Sequence, residues 1–239
     1  MKKLFKISKI LFVLGLVIFV YGFSALRNAH KKINDISIKI IHNKHLFITP
    51  NTVDKLLKQK LRLLKTKTKD GVFLNNLETA VCANKLVKKA DVFIGINGKL
   101  SVLVEQKTPI ARILQDMNSF YLDYIGTKMP LSTNFSASVP TISGITNSAE
   151  LKDAYKLAKY IYDDKFLKAQ IIAIKLNKNK EFELFVRNDK ATILLGKLDN
   201  LPKRLNNFKA YFLQASKKEW TKKYKKINLK YSNQVVCTK

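Results

Sequence analysis

One apolar run, Ile10 to Leu26 (ILFVLGLVIFVYGFSAL), constrains this chain more than any other feature. Crossing a bilayer as a helix takes about 17 to 25 predominantly apolar residues, and the run meets the lower limit, with Lys9 able to snorkel its amine to the headgroups. Lys2, Lys3, Lys6 and Lys9 precede it and would also suit the n-region of a cleaved signal peptide. Signal h-regions are shorter, about 7 to 15 residues, and Ser24-Ala25-Leu26-Arg27 places bulky and charged groups where a signal peptidase needs small ones. The reading is an uncleaved anchor with the remainder exported. Orientation is less sharply set, because Arg27, Lys31 and Lys32 come as closely after the run as the N-terminal lysines before it. A tail too short to fold favours the N-terminus inside.

The chain beyond the run is long enough for one large domain or two ordinary ones with real cores. Hydrophobic residues make up 46% of the chain and aromatics 10%, which excludes a disordered tail. A formal charge of +28 ordinarily points to nucleic acid or an anionic surface. Here the excess is almost all lysine, with arginine only at Arg27, Arg62, Arg112, Arg187 and Arg204. Base and phosphate recognition leans on arginine's planar fork, and an exported domain does not meet DNA. Abundant Lys, Asn and Ile together fit the coding bias of an AT-rich genome. Cys82 and Cys237 are the only cysteines, which rules out a disulfide framework or a cysteine zinc cluster. Two buried free thiols are expected, with one long-range disulfide as the alternative.

From residue 34 the pattern reads strand, helix, helix, strand, strand. Asp35 to His42 alternates Ile36, Ile38 and Ile40 with polar neighbours. Thr49 as N-cap and Pro50 at the first helical position open a helix carrying Val53, Leu56, Leu57 and Leu61 on one face. Leu74, Leu77, Ala80 and Val81 are spaced for a second. Val87 to Ile96, Asn97-Gly98 and Leu100 to Gln106 predict a hairpin with a type I′ turn, with Ala90, Val92, Ile94 and Ile96 facing Leu100, Val102 and Val104.

After Pro109 a β-rich, mixed region begins. Ile110 to Leu114 and Ser119 to Tyr124 read as strands, and Val139 to Gly144 as a short extended piece. Asn147 or Ser148 caps a helix with the stripe Leu151, Ala154, Tyr155, Ala158, Ile161 and Tyr162. Strands come next at Ala169 to Leu176, Phe182 to Val186 and Ala191 to Gly196, then a helix from Leu201 to Ala215 and a last strand from Ile227 to Cys237.

Catalytic chemistry finds little support. His42 and His45 sit in a strand-and-loop segment near His30, where a three-residue spacing does not bring two ligands together. Asp163 and Asp164 end a helix among lysines and read as solvated charge. No nucleophile sits in an elbow, and no glycine-rich loop would hold a phosphate. A non-enzyme without cofactor or metal is expected, and binding is the remaining activity.

An ordered set of motifs carries a resemblance. FITPNTVDKLL (Phe47 to Leu57), VKKADVFIGINGKLSVLVEQKTPIAR (Val87 to Arg112), YLDYIGTKMPL (Tyr121 to Leu131), VPTISG (Val139 to Gly144), LFVRNDKATILLGK (Leu184 to Lys197) and INLKYSNQVV (Ile227 to Val236) succeed a single span. Together they resemble the bacterial cell-division family FtsQ/DivIB, with Tyr121 to Leu131 most like Bacteroidetes-type members. The segment Thr108-Pro109-Ile110-Ala111-Arg112 is the most specific piece.

The resemblance implies an α+β fold. A cytoplasmic tail (1–9) and a transmembrane helix (10–28) would lead into a POTRA module (34–108, β-α-α-β-β) and a β domain with helices on one face (109–239). It also implies a non-enzymatic divisome scaffold of the inner membrane, located at the septum, whose periplasmic domains bind an FtsB/FtsL-like coiled-coil pair. Through them it would help recruit and regulate septal peptidoglycan synthesis. Family members receive FtsB on a tyrosine-containing strand, which carries over to Tyr231, Ser232, Asn233, Gln234 and Val235; the competing reading buries Tyr231 in the core. Val92 and Phe93 are a possible second contact surface. Thr49, Pro50, Asn97, Gly98, Pro109 and Arg112 are read as structural, the last two fixing how the domains meet. Two alternatives are an exported basic protein binding anionic cell wall or lipid, and a POTRA-type transport or assembly factor, which would need a barrel or further repeats.

Overall fold

In a computed structural model, which describes residues 2–29, 35–41, 45–63, 74–95, 97–115, 118–187, 189–217, 223–231 and 234–239, the apolar run lies within one helix, α1 (Lys2–Ala29). Its Ser8–Leu26 stretch of 19 residues has a mean hydropathy of 2.2 and exposed side chains. At about 1.5 Å per residue that stretch reaches roughly 28 Å, close to the hydrocarbon thickness of a bilayer. One N-terminal apolar helix of this kind fits a single-pass membrane anchor.

The chain divides into two compact units, Met1–Gln106 and Lys107–Lys239. In the first, α1 is succeeded by β1 (Asp35–Ile41), α2 (Pro50–Leu63), α3 (Leu74–Cys82), β2 (Val87–Ile94) and β3 (Lys99–Gln106). The strands order as β1-β3-β2, with β1 parallel and β2 antiparallel to β3. Period-two alternation fixes the register. Ile36, Ile38 and Ile40 stand beside Leu100, Val102 and Val104, which face Ile94, Val92 and Ala90 on the other side. Val53 and Leu57 from α2 and Leu77 and Val81 from α3 complete this core. Each such side chain contributes roughly 1.5 to 3 kcal/mol when fully buried.

Thr49 precedes α2, with its carbonyl 3.0 Å from the Thr52 N–H and its hydroxyl 3.3 Å from the same donor. Pro50, which lacks an N–H, occupies the first helical turn where none is needed. Gln106 closes β3 inside the core. Its Oε1 accepts from the backbone N–H groups of Phe47 (2.7 Å) and Ile48 (2.9 Å), and Nε2 donates to the His45 carbonyl. One amide oxygen thus accepts from two backbone donors at once.

The β2–β3 turn sits one residue earlier than the type I′ reading placed it. The Gly98 N–H donates to the Gly95 carbonyl (3.0 Å) and the Gly95 N–H to the Lys99 carbonyl (2.9 Å), so the turn is closed at Gly95. Gly98 has φ of 80°, the left-handed residue that a three-residue hairpin loop requires. Two glycines flank the Ile96-Asn97 pair, and only the second carries the positive φ expected at the turn. Ile96 itself lies outside the described residues.

In the second unit β4 (Pro109–Ile113), β5 (Phe120–Asp123), β6 (Lys128–Met129) and β7 (Thr141–Ser143) precede α4 (Ser148–Asp163) and α5 (Lys165–Gln170). Then come β8 (Ile171–Leu176), β9 (Phe182–Val186), β10 (Thr192–Gly196), α6 (Leu201–Lys217), β11 (Lys226–Asn228) and β12 (Val236–Thr238). All nine strands join one sheet in the order β12-β11-β10-β9-β8-β7-β4-β5-β6. The parallel pairs β7–β8 and β10–β11 each need a crossover, supplied by α4 with α5 and by α6. Ala154, Leu157 and Ile161 of α4, Leu167 of α5 and Leu205 and Phe208 of α6 share one buried cluster with Ile113, Ile142, Ile174, Leu184, Ile193 and Ile227 of the sheet.

Four sequence expectations change here. Ala169 and Gln170 belong to α5 and not to a strand, because Asp164 caps this short helix by accepting the Leu167 N–H at 2.9 Å. The Val139–Gly144 piece contributes only Thr141–Ser143 to the sheet. The last strand is two strands, β11 and β12, folded against each other. Neither cysteine is fully buried: Cys82 is exposed at the end of α3 and Cys237 is half-buried, and both are free.

The start of α4 is a charged anchor. Asn147 caps the helix by accepting the Glu150 N–H (2.9 Å), while the Glu150 carboxylate, nearly buried, reaches back to the Thr146 N–H (2.7 Å) and hydroxyl (2.9 Å). Lys180, in the β8–β9 turn, pairs with the same carboxylate. The Lys180 hydrogen bond first, and then the Thr146 N–H, hold the Glu150 carboxyl down to about 2 from an ordinary 4.5. A carboxyl depressed in the folded state adds stability that is complete above its unfolded value and is lost as pH falls from about 4.5 toward 2. Denaturant melts at pH 5 and pH 3 should therefore show a drop in the wild type that Glu150→Gln lessens; an equal drop in both would reject this role.

The sheet edge at the β11–β12 hairpin as candidate interaction surface

Ile227 and Leu229 point into the core and are fully buried, and the Leu229 N–H donates to the Leu194 carbonyl at 3.0 Å. Alternation should next send Tyr231 inward. Instead the chain leaves the sheet, and Tyr231 is 49% exposed, which overturns its reading as a core residue. Ser232 and Asn233 lie outside the described residues. Gln234 is exposed, and Val235 is half-buried against the core.

β12 then returns antiparallel to β11, pairing Asn228 with Val236, Ile227 with Cys237 and Lys226 with Thr238. It forms one edge of the nine-stranded sheet. The Thr238 carbonyl accepts from the Lys225 N–H at 2.8 Å, so Thr238 faces β11. Successive backbone groups of a strand point to opposite sides, which turns the N–H and C=O of Cys237 toward the open edge. Val236 remains exposed beside them. The Cys237 side chain packs inward, and burial pushes its thiol up in pKa, against a hydrogen bond to Tyr211 that acts the other way.

The neighbouring turn is braced. Gly196 ends β10 with φ of 83°, and a Cβ there would meet Lys230 Cγ at 3.1 Å and Arg204 Nη1 at 3.2 Å. Arg204 donates to the carbonyls of Leu195 (3.0 Å) and Lys197 (2.6 Å) and to Asp199 (2.8 Å), tying α6 to the end of β10. Lys230 pairs with Glu181 at 2.5 Å. The hairpin is thus held from behind, and among the described residues no strand pairs with its outer edge.

The other singled-out residues fall elsewhere. Val92 is buried in the core of the first unit, whereas Phe93 is 48% exposed, so only Phe93 offers a surface there. Asn97 and Gly98 shape the β2–β3 loop. Pro109 is buried at the start of β4, and Arg112 lies mid-strand with its backbone N–H bonded to the Pro140 carbonyl and its buried Nε without a partner. Among the described residues no three His, Cys, Asp or Glu side chains gather as a metal site; His30 and His42 fall outside those residues. The sequence reading missed the Val236–Thr238 strand, although the polar run Ser232-Asn233-Gln234 is a turn signal.

A mixed sheet with the β11–β12 hairpin at one edge, in a chain whose apolar N-terminal helix fits a membrane anchor, is the frame in which the family is found. Residues 108–238, more than half of the chain, match the family model described as FtsQ/DivIB, C-terminal related. The chain belongs to this family of non-enzymatic bacterial cell-division proteins. No curated protein matches it. Among solved structures, similarity extends to the major extracytoplasmic domain of the trans isomer of the cell-division protein DivIB from Geobacillus stearothermophilus. That similarity has 11% identity and a TM-score of 0.27 over 34% of this chain and 71% of the other.

Proposed function

We propose that the chain is a non-enzymatic scaffold of the divisome, and that it receives an FtsB/FtsL-like partner by strand addition on β12. The observation that carries this reading is the open edge at Cys237 in a region of the family match. An added strand would pair with the outward N–H and C=O of Cys237 and lie beside the exposed side chains of Tyr231 and Val236. Backbone pairing supplies affinity and the flanking side chains supply register, so Gln234 and Val235 would set how far the partner strand extends.

In this reading residues 1–9 lie in the cytoplasm, 10–28 span the inner membrane, 34–108 form a POTRA module and 109–239 form the β domain, both periplasmic. The β-α-α-β-β order of the first unit, with its third strand between the other two, supports the POTRA assignment. Holding the partner at the septum would help recruit and regulate septal peptidoglycan synthesis. Phe93 is a further contact point on the first module.

A fluorescent protein fused ahead of Met1 tests the cellular role. A ring at the constriction of dividing cells is the expected pattern, and an even membrane outline would contradict it. For the edge itself, Cys237→Pro removes one outward donor, and Cys237→Val retains it with an apolar side chain of similar size. Pull-down of the FtsB/FtsL-like pair should fall roughly tenfold with proline and stay near wild type with valine. Equal retention by both variants would reject strand addition at β12.

A further inference from the structure

We infer that a second docking surface, for an acidic partner segment carrying aromatic or apolar side chains, is built from Tyr124, Ile125, Tyr155, Lys159, Tyr162 and Lys168. It goes beyond the strand-addition reading and lies apart from it. β5 and β12 are separated by seven strand spacings in the sheet order, roughly 30 Å at about 4.8 Å per strand.

The surface is assembled by packing and hydrogen bonds rather than by chance exposure. Tyr124 comes directly after β5, its N–H donating to the Thr108 carbonyl at 2.9 Å and its carbonyl accepting the Tyr155 hydroxyl at 3.1 Å. Gly126, with φ of 83°, lets the turn lie against the Tyr155 ring, where a Cβ would approach to 3.2 Å. The Tyr124 and Tyr162 rings meet edge to face at 5.8 Å and 64°. Rings fixed in this way lose little rotamer freedom on binding.

Two ammonium groups sit on this platform. Lys159 Nζ lies 4.9 Å from the Tyr124 ring centre and 5.9 Å from that of Tyr155, and Lys168 Nζ lies 3.5 Å from that of Tyr162. Neither forms an ion pair among the described residues. Of the nearby carboxylates, Asp123 pairs with Lys107 and Asp164 with Lys209, while the exposed Asp163 on the same helix as Lys159 pairs with neither lysine among the described residues. Beside these charges Ile125 is 65% exposed and Tyr124 40%. An aromatic and aliphatic patch with two unneutralised cations is complementary to carboxylates flanked by apolar groups. Ring faces turned toward Lys159 and Lys168 are taken, which disfavours sugar stacking. Ring edges, which carry positive potential, add to the pull on a carboxylate.

The test uses the full chain in nanodiscs and a fluorescent random copolymer of glutamate and tyrosine as probe, with polyglutamate and peptidoglycan strands as comparators. The expected result is binding of the copolymer in preference to both comparators. Lys159→Gln with Lys168→Gln should weaken it roughly tenfold, and Tyr124→Ala should remove the preference over polyglutamate. Lys178→Gln with Lys217→Gln, an equal loss of charge away from the patch, should have little effect. Equal weakening by this control pair, no preference over polyglutamate, tighter binding of peptidoglycan strands, or no binding of the copolymer would each overturn the proposal.

Discussion

Gly144→Ala is expected to lower the stability of the second unit by on the order of 3 to 5 kcal/mol. Gly144 comes directly after β7 with φ of 84°, and a Cβ there would stand 2.1 Å from the Leu176 carbonyl oxygen and 3.1 Å from its carbon. Both atoms are backbone at the end of β8, so no side chain can swing away to make room. Either β7 and β8 separate, which breaks the sheet beneath α4, or the turn abandons its left-handed residue and moves the Asn147 cap. The left-handed conformation alone costs an L-residue about 1 to 2 kcal/mol, and the overlap adds to that. Thermal unfolding observed by circular dichroism checks it; a variant within about 1 kcal/mol of wild type would show that this close approach does not exist.

Asp123→Ala is the second large effect. The Asp123 carboxylate is nearly inaccessible and holds the β5–β6 turn together by accepting the N–H groups of Ile125 (3.1 Å) and Thr127 (2.7 Å) and the Thr127 hydroxyl. It also pairs with Lys107 at 3.0 Å, whose ammonium in turn donates to the Thr127 hydroxyl at 2.6 Å. Alanine would leave a mostly buried ammonium without its counter-charge and two backbone donors without acceptors, a loss of about 3 to 5 kcal/mol. That corresponds to a fall of roughly 10 to 20 °C in the melting of this unit. Asp123→Asn keeps the shape and one acceptor oxygen and should lose less than half as much. Equal losses from the two variants would mean that the turn depends on packing and not on the carboxylate.

Both effects lie in elements whose local character was legible and whose neighbours were not. Period-two alternation marked Ile36, Ile38 and Ile40 as one face of a strand, and Thr49-Pro50 marked the start of α2, because these signals depend on residues close in sequence. At Gly95-Ile96-Asn97-Gly98 the dipeptide Asn97-Gly98 suggested a two-residue turn, yet backbone pairing at Gly95 shifted the loop by one. Gly144 stood in a motif that carried the family resemblance, but its contact with Leu176 joins strands distant in the chain, and no spacing rule reports it.

The candidate site shows the same division. Ile227 and Leu229 obeyed the alternation, and extending it to Tyr231 predicted one long strand. β11 instead ends at Asn228, and the edge position of Val236–Thr238 depends on the order of all nine strands, a non-local property. Tyr155 and Tyr162 were read as part of an apolar stripe on α4. They do pack at the margin of the core, but their rings also support Lys159 and Lys168, which only the meeting of α4 with the turn after β5 makes visible.

The measurement that bears most directly on the proposed role is hydrogen exchange of the full chain with and without the purified FtsB/FtsL-like pair. Strand addition predicts slowed exchange at the Cys237 amide, with the amides of the β2 and β6 edges unchanged. Binding that leaves Cys237 exchanging freely while protecting another segment would contradict it.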